Sequence, residues 1–301
     1  MENSSRIARS IFYKSISNIL FLLLTLAVSV FLNKFYGKDL YGLLILVYTV
    51  TSFCFLFSDL GAKQTINRFI PQHSQSGNKE EARQLIKTAF TFQLYGMVFF
   101  SVILFFLSDF IAVDFFHQPE LRPLLKIGII FFVAYSILDF IFQLFQAFQA
   151  WLKEGILNVL YLSLYLGLVC AFAFLLNKSI KDVLLANSIA CILIVVLGIF
   201  LLPKEARSFL CLNFNFGEGR ISNKNIFTFG LPLLFNNLTF FILMWFDKAL
   251  LGKYDHLKYV TFYYIAFGFY SGIMAILKTI YTVFMPYIAG FSADSQEKIQ
   301  H

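Results

Sequence analysis

The chain has 301 residues, of which 59% are hydrophobic and 14% charged, with 40 Phe, a mean hydropathy of +0.74 and a formal charge of +7. Soluble domains average about a quarter charged residues and cannot hide this much apolar surface, so the composition excludes an ordinary soluble globular protein. The positive charge is dispersed between apolar runs, which points to membrane topology and not to a nucleic-acid partner.

Eight apolar runs approach or exceed the roughly 18 residues that mark a bilayer-spanning helix. In chain order they are Ile11 to Leu32, Leu40 to Phe57, Ala89 to Leu107, Ile127 to Ala150, Ile156 to Leu176, Val183 to Leu202, Ile226 to Leu251 and Val260 to Phe284. The first exceeds the roughly 7–15-residue core of a signal peptide and no small-residue cleavage site follows it, so it is expected to remain as a membrane helix. With the N-terminus inside, the inside segments carry 14 Lys and Arg against nine on the opposite side. This bias predicts that both ends are cytoplasmic.

Cys54, Cys170, Cys191 and Cys211 lie in or beside apolar runs with no short-spaced pair, and read as small buried hydrophobes. His73, His117, His256 and His301 are scattered, and no zinc-protease, nucleophile-elbow, P-loop or dinucleotide motif stands in a suitable context. No enzyme, metal or cofactor is predicted.

Two connections are long, at 58–87 and 203–225, and both are predicted to be cytoplasmic. The second follows six helices. It divides the chain into a six-helix transmembrane lobe (1–203), a cytoplasmic linker (204–225), and the first two helices of a second lobe with a polar tail (226–301). Helices one and two also echo seven and eight. Each pair has an apolar helix, a polar-Lys step (Asn33-Lys34 and Asp247-Lys248), a Gly-containing hairpin and an aromatic re-entry.

The stretches "SDLGAKQTINRFI" after helix two, "FGLPLLFNNLTFFILMWFDKALLGKY" in helix seven, "YVTFYYIA" opening helix eight and "FMPYIAGF" closing it resemble the polysaccharide-biosynthesis flippases. These are the O-antigen flippase branch of the multidrug/oligosaccharidyl-lipid/polysaccharide exporter superfamily. The resemblance covers nearly the whole chain in order and spacing, although its motifs are individually degenerate. It implies an all-α integral membrane protein in the inner (cytoplasmic) membrane, in which two lobes enclose a cleft opening alternately to each side. A polyprenyl-diphosphate-linked oligosaccharide would cross there, with a proton or sodium gradient as the driving force and polysaccharide polymerase machinery as a neighbour. Two features depart from the family pattern. Thr261 stands where a glycine is common, two residues before Tyr263, and the chain ends after eight helices where relatives carry twelve to fourteen, so a C-terminally short product is expected. The rival readings are a drug/cation antiporter of the same superfamily and a membrane-embedded glycan polymerase or glycosyltransferase.

Within the fourth run, "SILDFIFQLFQAFQAW" keeps Asp139, Gln143, Gln146 and Gln149. On a helix the first three fall within about 60° of one another, and Asp139 lies about 18 Å from the outer end of the run. A charge at that depth costs at least about 2.5–3.5 kcal/mol, so it is expected to face protein or water. The stripe either lines a translocation cavity, with Asp139 a protonatable coupling site, or bonds neighbouring helices for about 0.6–2 kcal/mol per bond. Gln149 is expected at the interface, solvated.

Lys278 lies about 28 Å from Tyr259 along helix eight, where it either faces a cavity as a point charge for a diphosphate or snorkels to the interface. Lys14 and Asn18 share a face near the cytoplasmic mouth of helix one, with headgroup contact and snorkelling as the alternatives. Asn236 and Asn237 follow Pro232, where a freed carbonyl needs a partner, so a helix-break role stands beside substrate contact. Asp247 and Lys248 read as an exposed pair at the outer interface that shapes a hairpin, and 58–87 reads as a loop solvated against anionic headgroups.

Overall fold

A computed structural model of the chain describes residues 2–59, 65–67, 69–70, 79–175, 179–204, 206–207, 237–239, 241–270 and 274, with 2–11 described by backbone alone. The described residues form helices and their connections, with no strand among them. The six long helices are α1 (Glu2–Tyr36), α2 (Lys38–Asp59), α3 (Lys79–Asp109), α4 (Leu121–Ala147), α5 (Trp151–Leu175) and α6 (Ile180–Leu201). All six are long and apolar enough to cross a membrane. The described parts of the seventh and eighth apolar runs are also helical: 237–239, a π-helical turn Ile242–Phe246 leading into α7 (Asp247–Tyr254), and α8 over 257–270. The integral-membrane, all-α expectation is borne out.

Several helices outrun the apolar runs that predicted them, because polar turns extend them beyond the bilayer core. α3 continues through a π-helical segment, Phe110–Phe115, so that the continuous span Lys79–Phe115 has 37 residues. At about 1.5 Å per residue it far exceeds a hydrocarbon core of about 30 Å. Its first turns, including Glu80 and Glu81, belong to what the sequence suggested was a solvated loop. Elsewhere in that loop residues 65–67 are helical, and Thr65, Ile66 and Ile70 are buried. The loop is thus partly folded into the bundle, where Ile66 and Ile70 join the apolar core and Asn67 bonds to α4.

Helix ends are set by local chemistry. α1 and α2 meet at Gly37, whose φ of +86° suits glycine and lets the chain reverse at one residue. The α4 terminus is a Schellman motif: Ala150 N–H donates to Phe145 O at 2.8 Å and Gln149 N–H to Gln146 O at 2.9 Å, with Gln149 left-handed at φ +55°. Gln149 is exposed, and it also serves as a helix terminator. Ser179 caps α6 by accepting from Lys181 N–H, and at the other end Arg207 donates to Phe200 O (2.7 Å) and Leu202 O (3.1 Å).

α4 is the central helix, packing on α2, α3 and α6, while α1 packs on α5 and α5 on α6. Phe132, Phe140 and Phe145 of α4 are fully buried, which accounts for part of the phenylalanine content. Several hydroxyls inside the helices are satisfied locally: Thr49 donates to Ile45 O, Thr51 to Val47 O and Ser188 to Leu184 O. Close helix approach relies on absent side chains. A Cβ on Gly96 would strike the backbone of Ser58, and one on Gly128 would lie 2.7 Å from Val47 Cγ1. Gly167 faces open space. Gly96→Ala is therefore expected to cost about 1–3 kcal/mol by overpacking, whereas Gly167→Ala leaves stability unchanged or raises it by up to about 1 kcal/mol; thermal unfolding in detergent distinguishes the two.

Candidate functional site

A polar group sealed into an apolar bundle must find its partners within the protein. The most buried carboxylate among the described residues is Glu154, in the first turn of α5 and 2% exposed. Its Oε1 accepts from Lys14 Nζ of α1 at 2.6 Å, Lys14 also reaches Oε2, and Gln146 Nε2 of α4 donates to Oε1 at 3.3 Å. The Lys14 ammonium lies 6.0 Å from the Trp151 ring centroid. One helical position further on, Ser17 Oγ donates to Gly155 O at 2.8 Å. Three helices thus meet on one carboxylate, which the first turn of α5 further favours through its dipole.

Two candidates picked separately from the sequence, Lys14 and Gln146, converge on a residue the sequence reading missed. Glu154 follows Lys153 in a short connection and looks like a solvated charge. Only the docking of α1 against α5 reveals its partner.

The other members of the α4 stripe go elsewhere. Gln143 Oε1 accepts from Asn67 Nδ2 at 2.5 Å, tying α4 to the chain that follows α2. Asp139 is half-buried and has its own partners. One turn before it, Ser136 O accepts from Gln93 Nε2 of α3 at 2.9 Å. Two of the stripe's residues therefore make interhelical bonds.

A second polar cluster links α2, α5 and α6. Tyr161 OH donates to Asn187 Oδ1 (2.7 Å), Asn187 Nδ2 donates to Tyr48 OH (2.8 Å), and the Tyr48 and Tyr165 hydroxyls lie 3.2 Å apart. Asn187, the single amide in its apolar run, is a signal the sequence reading passed over.

The Asp247-Lys248 pair departs from expectation. Lys248 is 1% exposed, not a solvated partner of its neighbour. Its ammonium donates to Met244 O and lies 5.3, 5.5 and 4.1 Å from the ring centroids of Trp245, Tyr263 and Phe267. Asp247 instead accepts from the Tyr263 hydroxyl. The return of α8 across α7 brings the Tyr263 and Phe267 rings to the lysine beside Trp245, and the negative ring faces replace water. Thr261, the departure from the family pattern, donates to Lys38 O at 2.6 Å and joins α8 to the start of α2.

Of the remaining candidates, Asn18 is half-buried one turn after Lys14, and Asn237 is half-buried in the helical stretch 237–239. Asn236 and Lys278 lie outside the described residues, as do Cys211, His73 and His301. Among the described residues no group of three His, Cys, Asp or Glu is placed to hold a metal.

Breaking one side of a buried ion pair strands the other, at about 3–5 kcal/mol. Glu154→Ala is expected to lower thermal stability by an amount in that range, and Lys14→Met combined with Glu154→Gln to recover more than half of it, as measured by unfolding in detergent.

Residues 7–292 match the family described as polysaccharide biosynthesis protein. Neither curated proteins nor solved structures give a match. Six membrane-length apolar helices agree with that match, and the resemblance carried by the sequence motifs holds at the level of the family. The chain is a multi-pass membrane protein and belongs to the polysaccharide biosynthesis protein family.

Proposed function

We propose that the protein flips a polyprenyl-diphosphate-linked oligosaccharide across the cytoplasmic membrane for surface polysaccharide synthesis, acting as a transporter and not as an enzyme. The observation that carries this reading is the family match over residues 7–292 in a chain made chiefly of membrane-length helices. A glycan-building enzyme would need a sizeable extramembrane region to hold a soluble sugar donor. Here the described connections between the six helices are mostly a few residues long.

In this reading both termini are cytoplasmic, the sugar diphosphate passes through a polar cleft, and the polyprenyl tail stays in lipid. Lys278 and Lys14 are the candidate charges for the diphosphate, with Asp139, Gln143, Gln146, Asn18, Asn236 and Asn237 as lining residues. Lys14 is neutralised by Glu154 in this conformation. It offers a cargo phosphate its charge only where that carboxylate is displaced. Asp139 is the candidate for coupling to a proton or sodium gradient, and polymerase machinery is the expected recipient of the cargo.

Expression of the chain in a flippase-deficient strain is expected to restore surface glycan, and a well-expressed chain that restores none defeats the proposal. The Asp139→Ala, Lys278→Ala double variant is expected to lower export by about tenfold, corresponding to about 1.4 kcal/mol of lost barrier stabilisation. Unchanged export at equal expression removes those two residues from the site.

A further inference from the structure

A groove of about 330 Å³ runs between α1 and α5 on the outside of the bundle, lined by Tyr13, Ile16 and Leu20 from one helix and Leu152, Ile156 and Leu160 from the other. All six side chains are exposed, so the groove opens outward. Its floor exists because position 155 lacks a side chain: a Cβ on Gly155 would lie 2.8 Å from Ser17 Oγ. At its head stand Trp151 and the Lys14–Glu154 pair.

α1 does not stop there. It continues as helix back to Glu2, about 14 Å beyond the apolar run that begins at Ile11. Arg9 and Arg6 precede Tyr13 by four and seven residues, which places them one and two turns up the same helix face. An apolar trough thus leads along α1 toward two arginine positions outside the apolar run.

We propose that this groove seats an anionic glycerophospholipid, with an acyl chain along α1 and α5 and its phosphate under Arg6 and Arg9. Charge complementarity selects the anionic class. Lys14 and Glu154 offset each other, and Arg6 and Arg9 add two basic positions on the same helix face, where each basic residue near an anionic surface changes binding by a factor of about five. The inference does not depend on the proposed transport activity.

Trp151 is the reporter. In a Trp245→Phe version of the full chain, reconstituted in phosphatidylcholine vesicles, brominated phosphatidylglycerol is expected to quench Trp151 at a several-fold lower mole fraction than brominated phosphatidylcholine. That preference is expected to vanish in Arg6→Gln/Arg9→Gln, and quenching by both lipids to weaken in Ile156→Phe/Leu160→Phe, where added rings fill the trough. Equal quenching by the two lipids in the parent chain overturns the proposal without recourse to any variant. So does a preference that survives loss of both arginines. Stronger displacement of the brominated lipid by a polyprenyl diphosphate than by unlabelled phosphatidylglycerol also overturns it and makes the groove a cargo site.

Discussion

In a bundle made of apolar helices, cohesion cannot come from hydrophobicity alone, because lipid tails receive a leucine as well as another helix does. What distinguishes one helix arrangement from another is which polar groups would be stranded if the helices moved apart. Glu154 is the clearest case. Its carboxylate sits where water does not reach, and its partners come from α1 and α4, while Glu154 itself begins α5. Sliding α1 by one turn would leave a charge unpaired on each side. The pair is better understood as a constraint on registration than as a source of net stability, since taking both charges out of water offsets much of their attraction.

The same logic repeats with neutral groups. Asn187 holds two tyrosine hydroxyls from α2 and α5, Gln143 holds Asn67, and Gln93 holds the backbone of α4 at Ser136. These links surround α4, which has neighbours on several sides and carries the most heavily buried phenylalanines. Small residues then let backbones approach until the links can close. Gly96 against Ser58 and Gly155 against Ser17 are places where packing and polar bonding share one position. The α7–α8 hairpin follows a different rule. Its lysine is sheltered by aromatic faces and a carbonyl, which lets a cation stay buried without a carboxylate touching it.

How much of this can be read from the chain follows from the range of each signal. The six helices and their order are written in the apolar runs, because a bilayer imposes a length that composition alone reveals. Their ends are less legible, since polar turns such as Lys79–Lys87 continue a helix after the hydrophobic signal has stopped. The polar stripe on α4 is visible because helical geometry is local. Its partners are not, because Asn67 and Glu154 are brought to it by contacts between distant parts of the chain. The burial of Lys248 is hidden for the same reason: two of the three rings around it, Tyr263 and Phe267, lie 15 and 19 residues further on, past a turn. Asn187 was within reach, as a lone amide in an apolar run has the same physical meaning as Asp139.

The single-residue junction at Gly37 bears on how the protein enters its membrane. α1 and α2 have no loop between them, and the reversal is sealed by Gly37 N–H donating to Asn33 O and Tyr41 N–H donating to Gly37 O. The two helices are therefore joined by a single residue, which leaves little room for one to settle in lipid while the other waits. Both helices must be released into lipid almost together. In the proposed topology, with the N-terminus cytoplasmic, their turn would cross the membrane as one polar knob, carrying Lys34, Lys38 and Asp39 with it.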